Sequence, residues 1–226
     1  MIMKKTVIFD MDGVIFDTEN AQLACWLEAA KAYPVTEELV AGTFVKCTGT
    51  NHDQTVDIFN NAFSPVLSDE ERWDLWNAAY GIYRERYAVH PVPTKPGVVE
   101  LLEYLKEQGI RIGLASSSDK DMVENQLETA GLIDYFESIT GGDAVKISKP
   151  NPEIYLIACD KMGVAPEDCY AIEDSFNGVR AAYAAGMTPV MVPDLKQPND
   201  EIRQMAEIVC KDLFEVVDYF KGIFRK

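Results

Sequence analysis

Asp10 and Asp12 stand one residue apart where the apolar run Val7-Ile8-Phe9 ends, and Gly13 follows them. A buried strand that delivers two carboxylates to its carboxyl end sets like charges within range of each other, which raises their pKa values and calls for a nearby cation. A second pair, Glu173 and Asp174, ends the apolar run Tyr170-Ala171-Ile172 far downstream. Four carboxylates at two strand ends suit Mg²⁺, a hard ion that takes few protein oxygens and completes its shell with water and substrate phosphate. Ser116, followed by Ser117, ends a third apolar run at a predicted helix start, where free N–H groups make an anion seat. Lys149, in the loop Lys146-Ile-Ser-Lys-Pro-Asn-Pro, offers a point charge for a phosphate. An aspartate carboxylate is also a competent nucleophile that forms an acyl phosphate. Together these groups suit phosphoryl transfer, which is catalysed by alignment and charge stabilisation. A calcium loop is the competing reading of Asp-Met-Asp-Gly. It fails on spacing, because glycine falls at the fourth position rather than the sixth, and the twelfth position is Ala21.

From residue 92 onward, strands alternate with helices, the pattern of a parallel sheet wound with helices on both faces. Pro96-Gly97 opens an amphipathic helix (Val98, Leu101, Leu102, Leu105) that stops at Gly109, and Ile110–Ala115 reads as a strand. The next helix starts at Ser116–Asp119 and ends near Gly131, with a short strand at 138–140. Asn151 as N-cap and Pro152 at the first helical position open a helix that closes at Gly163. A strand at 169–172, a helix from 175 to 186 and a strand at 188–192 follow. A last amphipathic helix, 213–224, is expected to cover a sheet edge. Residues 18–91 break the rhythm with four helical stretches, 19–33, 36–44, 53–63 and 68–87. They read as an all-helical module inserted between a core formed by 1–17 and 92–226. Trp73, Trp76, Tyr80 and Tyr83 recur at helical spacing and are expected to pack in its core. Asp17 and Thr18 read as the cap of the first inserted helix and a hinge. A second hinge near residues 89–96, stiffened by Pro93 and Pro96, would let the module close over substrate.

The 226-residue chain can bury a full core. Its formal net charge of −16 excludes nucleic acid and anionic membrane as expected partners and requires any phosphate seat to be locally positive. Five cysteines without Cys-x-x-Cys spacing suggest reduced thiols in a cytoplasmic protein. Lys4 and Lys5 precede only four uncharged residues before Asp10, too few for a signal-peptide core, and no apolar run has the length of a membrane span.

Phe9-Asp10-Met11-Asp12-Gly13-Val14 resembles the first motif of the haloacid dehalogenase superfamily. Leu114-Ala115-Ser116-Ser117 resembles its second motif, Lys149-Pro150 its third and Ile172-Glu173-Asp174-Ser175 its fourth. The four occur in order and span essentially the whole chain. The helical insertion is similar to the cap of the subfamily that includes β-phosphoglucomutase and many small-molecule phosphatases. The resemblance implies a Rossmann-like core, with Asp10 as nucleophile and Asp12 as general acid and then base. Ser116, Ser117 and Lys149 would hold the transferring phosphate. Mg²⁺ would be held by Asp10, the backbone carbonyl of Asp12, Asp174 and Glu173, directly or through water.

The cap departs from the mutase pattern. Gln22 stands where those mutases carry histidine, and in Gly49-Thr50-Asn51-His52 a histidine replaces the arginine that grips the distal phosphate. A neutral imidazole is a poor substitute for a bidentate guanidinium. The favoured expectation is therefore a monomeric Mg²⁺-dependent phosphatase of a small phosphorylated metabolite, a sugar or polyol phosphate, with Thr50, Asn51 and His52 as cap contacts. A phosphosugar mutase, an inorganic pyrophosphatase and a non-catalytic phosphate-ligand-binding module stay open.

Overall fold

The computed structural model describes residues 6–48, 52–87 and 90–224, without the side chains of His52 and Asp53. The chain divides into two compact units. One runs to Asp17 and resumes at Thr94; the other is Thr18–Pro93.

The first unit is built on a six-stranded, all-parallel sheet. Its strands are β1 (Thr6–Phe9), β2 (Arg111–Ala115), β3 (Ser138–Thr140), β4 (Cys169–Glu173), β5 (Thr188–Met191) and β6 (Ile208–Val209), in the order β3-β2-β1-β4-β5-β6. The chain steps outward from β1 to β3, then restarts at β4 on the other side of β1. That reversal opens a crevice beyond the carboxyl ends of β1 and β4, where such sheets bind ligands. β1 and β4 are buried along their whole length, as the central strands of a parallel sheet must be. Side chains alternate between the two faces. Ile8, Ala115 and Ala171 meet residues of α7 (Glu153–Met162) and α8 (Phe176–Ala184). Tyr170 turns the other way, onto Phe220 of α10 (Leu213–Ile223) and Phe224 just beyond it. The last helix therefore lies against a central strand and not along an edge.

The helices between strands are α5 (Val98–Glu107), α6 (Lys120–Thr129), α7, α8 and α9 (Asp200–Met205). α7 begins one residue later than its sequence signals suggest. Pro152 takes the N-cap position, and Asn151 reaches past it to accept the Glu153 N–H at 3.0 Å. α9 and the two-residue strand β6 are additions to the expected elements.

The second unit is four helices, α1 (Thr18–Ala30), α2 (Glu37–Cys47), α3 (His52–Phe63) and α4 (Asp69–Tyr87). Its core gathers Val40, Phe59, Phe63, Leu67, Leu75 and Ala79, with Trp26 and Trp76 packed edge-on against Phe59. The aromatic stripe of α4 divides, contrary to the sequence expectation. Trp76 joins that core and Tyr83 stacks near Tyr87, whereas Trp73 and Tyr80 are 67% and 62% exposed. Leu75, Trp76, Ala79 and Ile82 define the inward face, and positions 73 and 80, seven apart, share one side that turns away from it. No described helix is long and apolar enough to cross a membrane. The five cysteines are buried thiols, none of them in a disulfide.

Candidate active site

The residues singled out by type and spacing come from four separate stretches of chain, and most of them meet at the carboxyl ends of β1, β2 and β4. Asp10 follows β1 directly, and its N–H donates to the Ile172 carbonyl of β4 at 3.0 Å, which extends the ladder to the first carboxylate. The chain then folds back tightly: the N–H groups of Ile15 and Phe16 donate to the Met11 carbonyl, and that of Gly13 to the Phe16 carbonyl. Gly13 has a φ of +78°, open to glycine and strained for other residues, and a Cβ there would lie 2.3 Å from Asp174 Oδ2. The first motif thus presses against the fourth with no room for a methyl group. A second close approach fixes Glu173, because a Cβ on Gly178 in the first turn of α8 would overlap its carboxylate.

Lys149 sits at the centre. Its Nζ donates to Asp10 Oδ1 at 2.6 Å, Glu173 Oε1 at 2.7 Å and the Ala115 carbonyl at 3.2 Å. The Lys149 side chain is only 7% exposed and that of Glu173 is fully buried. Charge-assisted hydrogen bonds of this length in a low-dielectric setting hold all three side chains firmly. Asp10, Glu173 and Asp174 each present an oxygen within 4.8 Å of the others. Burial pushes the Asp10 carboxyl up to about 8, with Lys149 opposing and the charges of Glu173 and Asp12 adding. Burial alone would lower the Lys149 ammonium, but Asp10 and Glu173 outweigh it and raise it above the ordinary lysine value.

Three buried carboxylates against one ammonium leave surplus negative charge, and all the donors are oxygens. That set fits a hard divalent cation such as Mg²⁺ in charge and in chemistry. No other group of three or more acidic, histidine or cysteine side chains among the described residues is close enough to hold a metal ion.

Asp12 is met from the β2 side. Ser116 Oγ and Ser118 Oγ donate to Asp12 Oδ2 at 3.3 and 3.0 Å, and the Ser118 N–H donates to Ser116 Oγ at 3.0 Å. Ser116 is fully buried, while the side chain of Ser117 is exposed and takes no part in these bonds. Ser116 and Ser118 are thus the two serines that reach Asp12, Ser118 being a residue that spacing did not single out. Its signal was the third serine of the run. Tyr155 is a second residue that spacing did not reveal. Its hydroxyl donates to Glu173 Oε1, and its ring lies near Lys149, with Nζ 5.0 Å from the centroid. Thr50 and Asn51 lie outside the described residues, as does the side chain of His52.

The family model for haloacid dehalogenase-like hydrolases matches residues 7–192. Hexitol phosphatase B of Escherichia coli (strain K12) is 39% identical over 211 residues, 92% of each chain. Phosphorylated carbohydrates phosphatase of Thermotoga maritima is 34% identical over 189 residues, 81% of this chain and 82% of its own. Among solved structures, β-phosphoglucomutase from Clostridium difficile superposes with a TM-score of 0.72 at 27% identity, covering 98% of this chain and 97% of that one. With the parallel sheet, the four ordered motifs and a match over most of its length, the chain belongs to the haloacid dehalogenase-like hydrolases.

Proposed function

We propose that the protein is a Mg²⁺-dependent phosphatase of a small phosphorylated carbohydrate or polyol, working through a phosphorylated Asp10. The observation that carries this reading is the ammonium of Lys149 bridging Asp10 and Glu173, with Asp174 alongside, at the ends of two adjacent strands. A carboxylate held at 2.6 Å from a buried cation, two residues from an aspartate that takes two serine hydroxyls, is placed to attack phosphorus. Asp10 forms an O–P bond as the P–O bond to the alcohol breaks. Asp12, beside Ser116 and Ser118, gives its proton to the departing alkoxide. It then takes a proton from water, whose oxygen attacks phosphorus and releases Asp10 and inorganic phosphate. Lys149 balances charge on the transferring group, and the hydroxyls of Ser116 and Ser118 supply donors for its oxygens. Asp10, Glu173 and Asp174, with the Asp12 carbonyl, would hold Mg²⁺, which when bound supplies Lewis-acid stabilisation of phosphoryl charge.

The carbohydrate or polyol class rests on the two named phosphatases among the relatives. The test is release of inorganic phosphate from a panel of hexitol, hexose and pentose phosphates with Mg²⁺. Asp10→Asn removes the nucleophile and is expected to abolish release; retained turnover in that variant defeats the reading. The likeness to β-phosphoglucomutase supports a second reading, phosphosugar isomerisation. Isomerised hexose phosphate with little free phosphate would favour it.

A further inference from the structure

Tyr155 lies in the first turn of α7, fully buried, among Ile8, Ala158 and Cys159. Core packing accounts for its ring and leaves its hydroxyl unexplained, since a phenylalanine would fill the same space. The hydroxyl donates to Glu173 Oε1, the oxygen that also receives Lys149 at 2.7 Å. An ionised carboxylate only accepts, so Glu173 Oε1 is satisfied by those two donors, and Oε2 takes Ser175 Oγ at 3.3 Å. Lys149 has three N–H donors and three good acceptors, on Asp10, Glu173 and Ala115. The phenolic oxygen, 3.5 Å from Nζ, is too distant to compete for them. The ring itself lies near the ammonium, with Nζ 5.0 Å from its centroid.

Each contact pulls in the same direction. With the phenol donating, Glu173 needs less from Lys149, and the lysine keeps its short bond to Asp10. Without it, Glu173 Oε1 has Lys149 as its one donor, and the ammonium shifts from Asp10 toward Glu173. We propose that Tyr155 is a positioning residue for phosphoryl transfer: by binding the Glu173 oxygen that Lys149 also binds, it keeps the ammonium on the nucleophile. The inference rests on the phosphatase reading above. It concerns a residue outside the four motifs.

Tyr155→Phe isolates the hydroxyl, keeping ring and volume. Turnover of a hexitol phosphate and of 4-nitrophenyl phosphate is measured for wild type, Tyr155→Phe, Glu173→Gln and the double variant. Rates are normalised to the folded fraction from circular dichroism at the assay temperature. The expected result is a kcat lower by roughly tenfold or more in Tyr155→Phe with KM within about threefold, since alignment and not affinity is lost. On the Glu173→Gln background the same substitution should lower kcat by less than about threefold, because the hydroxyl acts through that carboxylate. A normalised kcat within about twofold of wild type overturns the inference, as does the full loss repeated in the double variant. Wild-type turnover that Asp10→Asn abolishes and Tyr155→Phe leaves intact defeats this inference alone. Absence of wild-type turnover, or turnover surviving Asp10→Asn, defeats the phosphatase reading and this inference with it.

Discussion

A missing methyl group lets two distant motifs share a pocket. At Gly13 the backbone is left-handed, and a Cβ would meet Asp174 Oδ2 at 2.3 Å. Gly13→Ala therefore incurs backbone strain of about 1–2 kcal/mol and displaces a carboxylate assigned to the cation. Misplacement of about 1 Å at a reacting centre can cost on the order of a hundredfold in rate. The expected outcome is a loss of kcat of that order, with a melting temperature lower by about 2–8 °C for a chain of this size. Steady-state kinetics and calorimetry check it, and wild-type kcat in the variant would disprove the close approach. Gly13 was visible in the sequence as part of Asp-Met-Asp-Gly, and so were Asp10, Glu173 and Asp174, because charged residues following apolar runs have few structural explanations. Tyr155 was not, because within Ile-Tyr-Leu-Ile-Ala-Cys an aromatic residue on a helix reads as core. Ser118 was hidden for a similar reason: a serine before a helix reads as a cap, and only the third dimension shows it reaching Asp12.

Helix caps separate stability from activity in this fold. Ser175 Oγ accepts the Gly178 N–H at 3.0 Å, capping α8, and also donates to Glu173 Oε2 at 3.3 Å. Asp212 Oδ1 accepts the Glu215 N–H at 2.9 Å, capping α10, and has no link to the carboxylate cluster. Replacing either by alanine is expected to lower stability by about 1 kcal/mol. Denaturant titration should find the two losses comparable, yet kcat should fall only for Ser175→Ala. Equal kcat in both variants would show that the Ser175–Glu173 contact is idle. These helices were legible from turn residues and apolar periodicity, as were β1, β2 and β4. The two-residue strand β6 and the six-residue α9 were not, since so few residues carry no period. The seat of α10 was missed because its amphipathic pattern reports that one face is covered without saying by what. Tyr170, the residue it meets, sits in a strand whose side chains all read as buried.

Net charge of −16 and a buried carboxylate surplus act together on the stability of the chain. Asp10 is raised from its ordinary value of 3.8 to about 8, first by burial and then, against Lys149, by Glu173 and Asp12. A carboxyl raised on folding binds its proton more tightly in the folded state. Its contribution is therefore complete below about pH 4 and is lost as pH rises toward about 8. In the presence of a chelator, the melting temperature should accordingly fall between about pH 4 and 8, and fall less steeply in Asp10→Asn. Saturating Mg²⁺ reverses the sense of the argument, because ion binding requires the ionised form. At about one hundred times its dissociation constant, a ligand that binds only the folded chain stabilises it by about 2.7 kcal/mol. For a chain of this size that is a rise of roughly 5–11 °C, largest at the alkaline end, where Asp10 gives up its proton at least cost. Calorimetry of wild type and Asp10→Asn, with chelator and with Mg²⁺, reads all four conditions. Parallel pH slopes in the two metal-free proteins would mean that Asp10 does not carry the surplus charge, and the case for a cation beside it would lose its electrostatic basis.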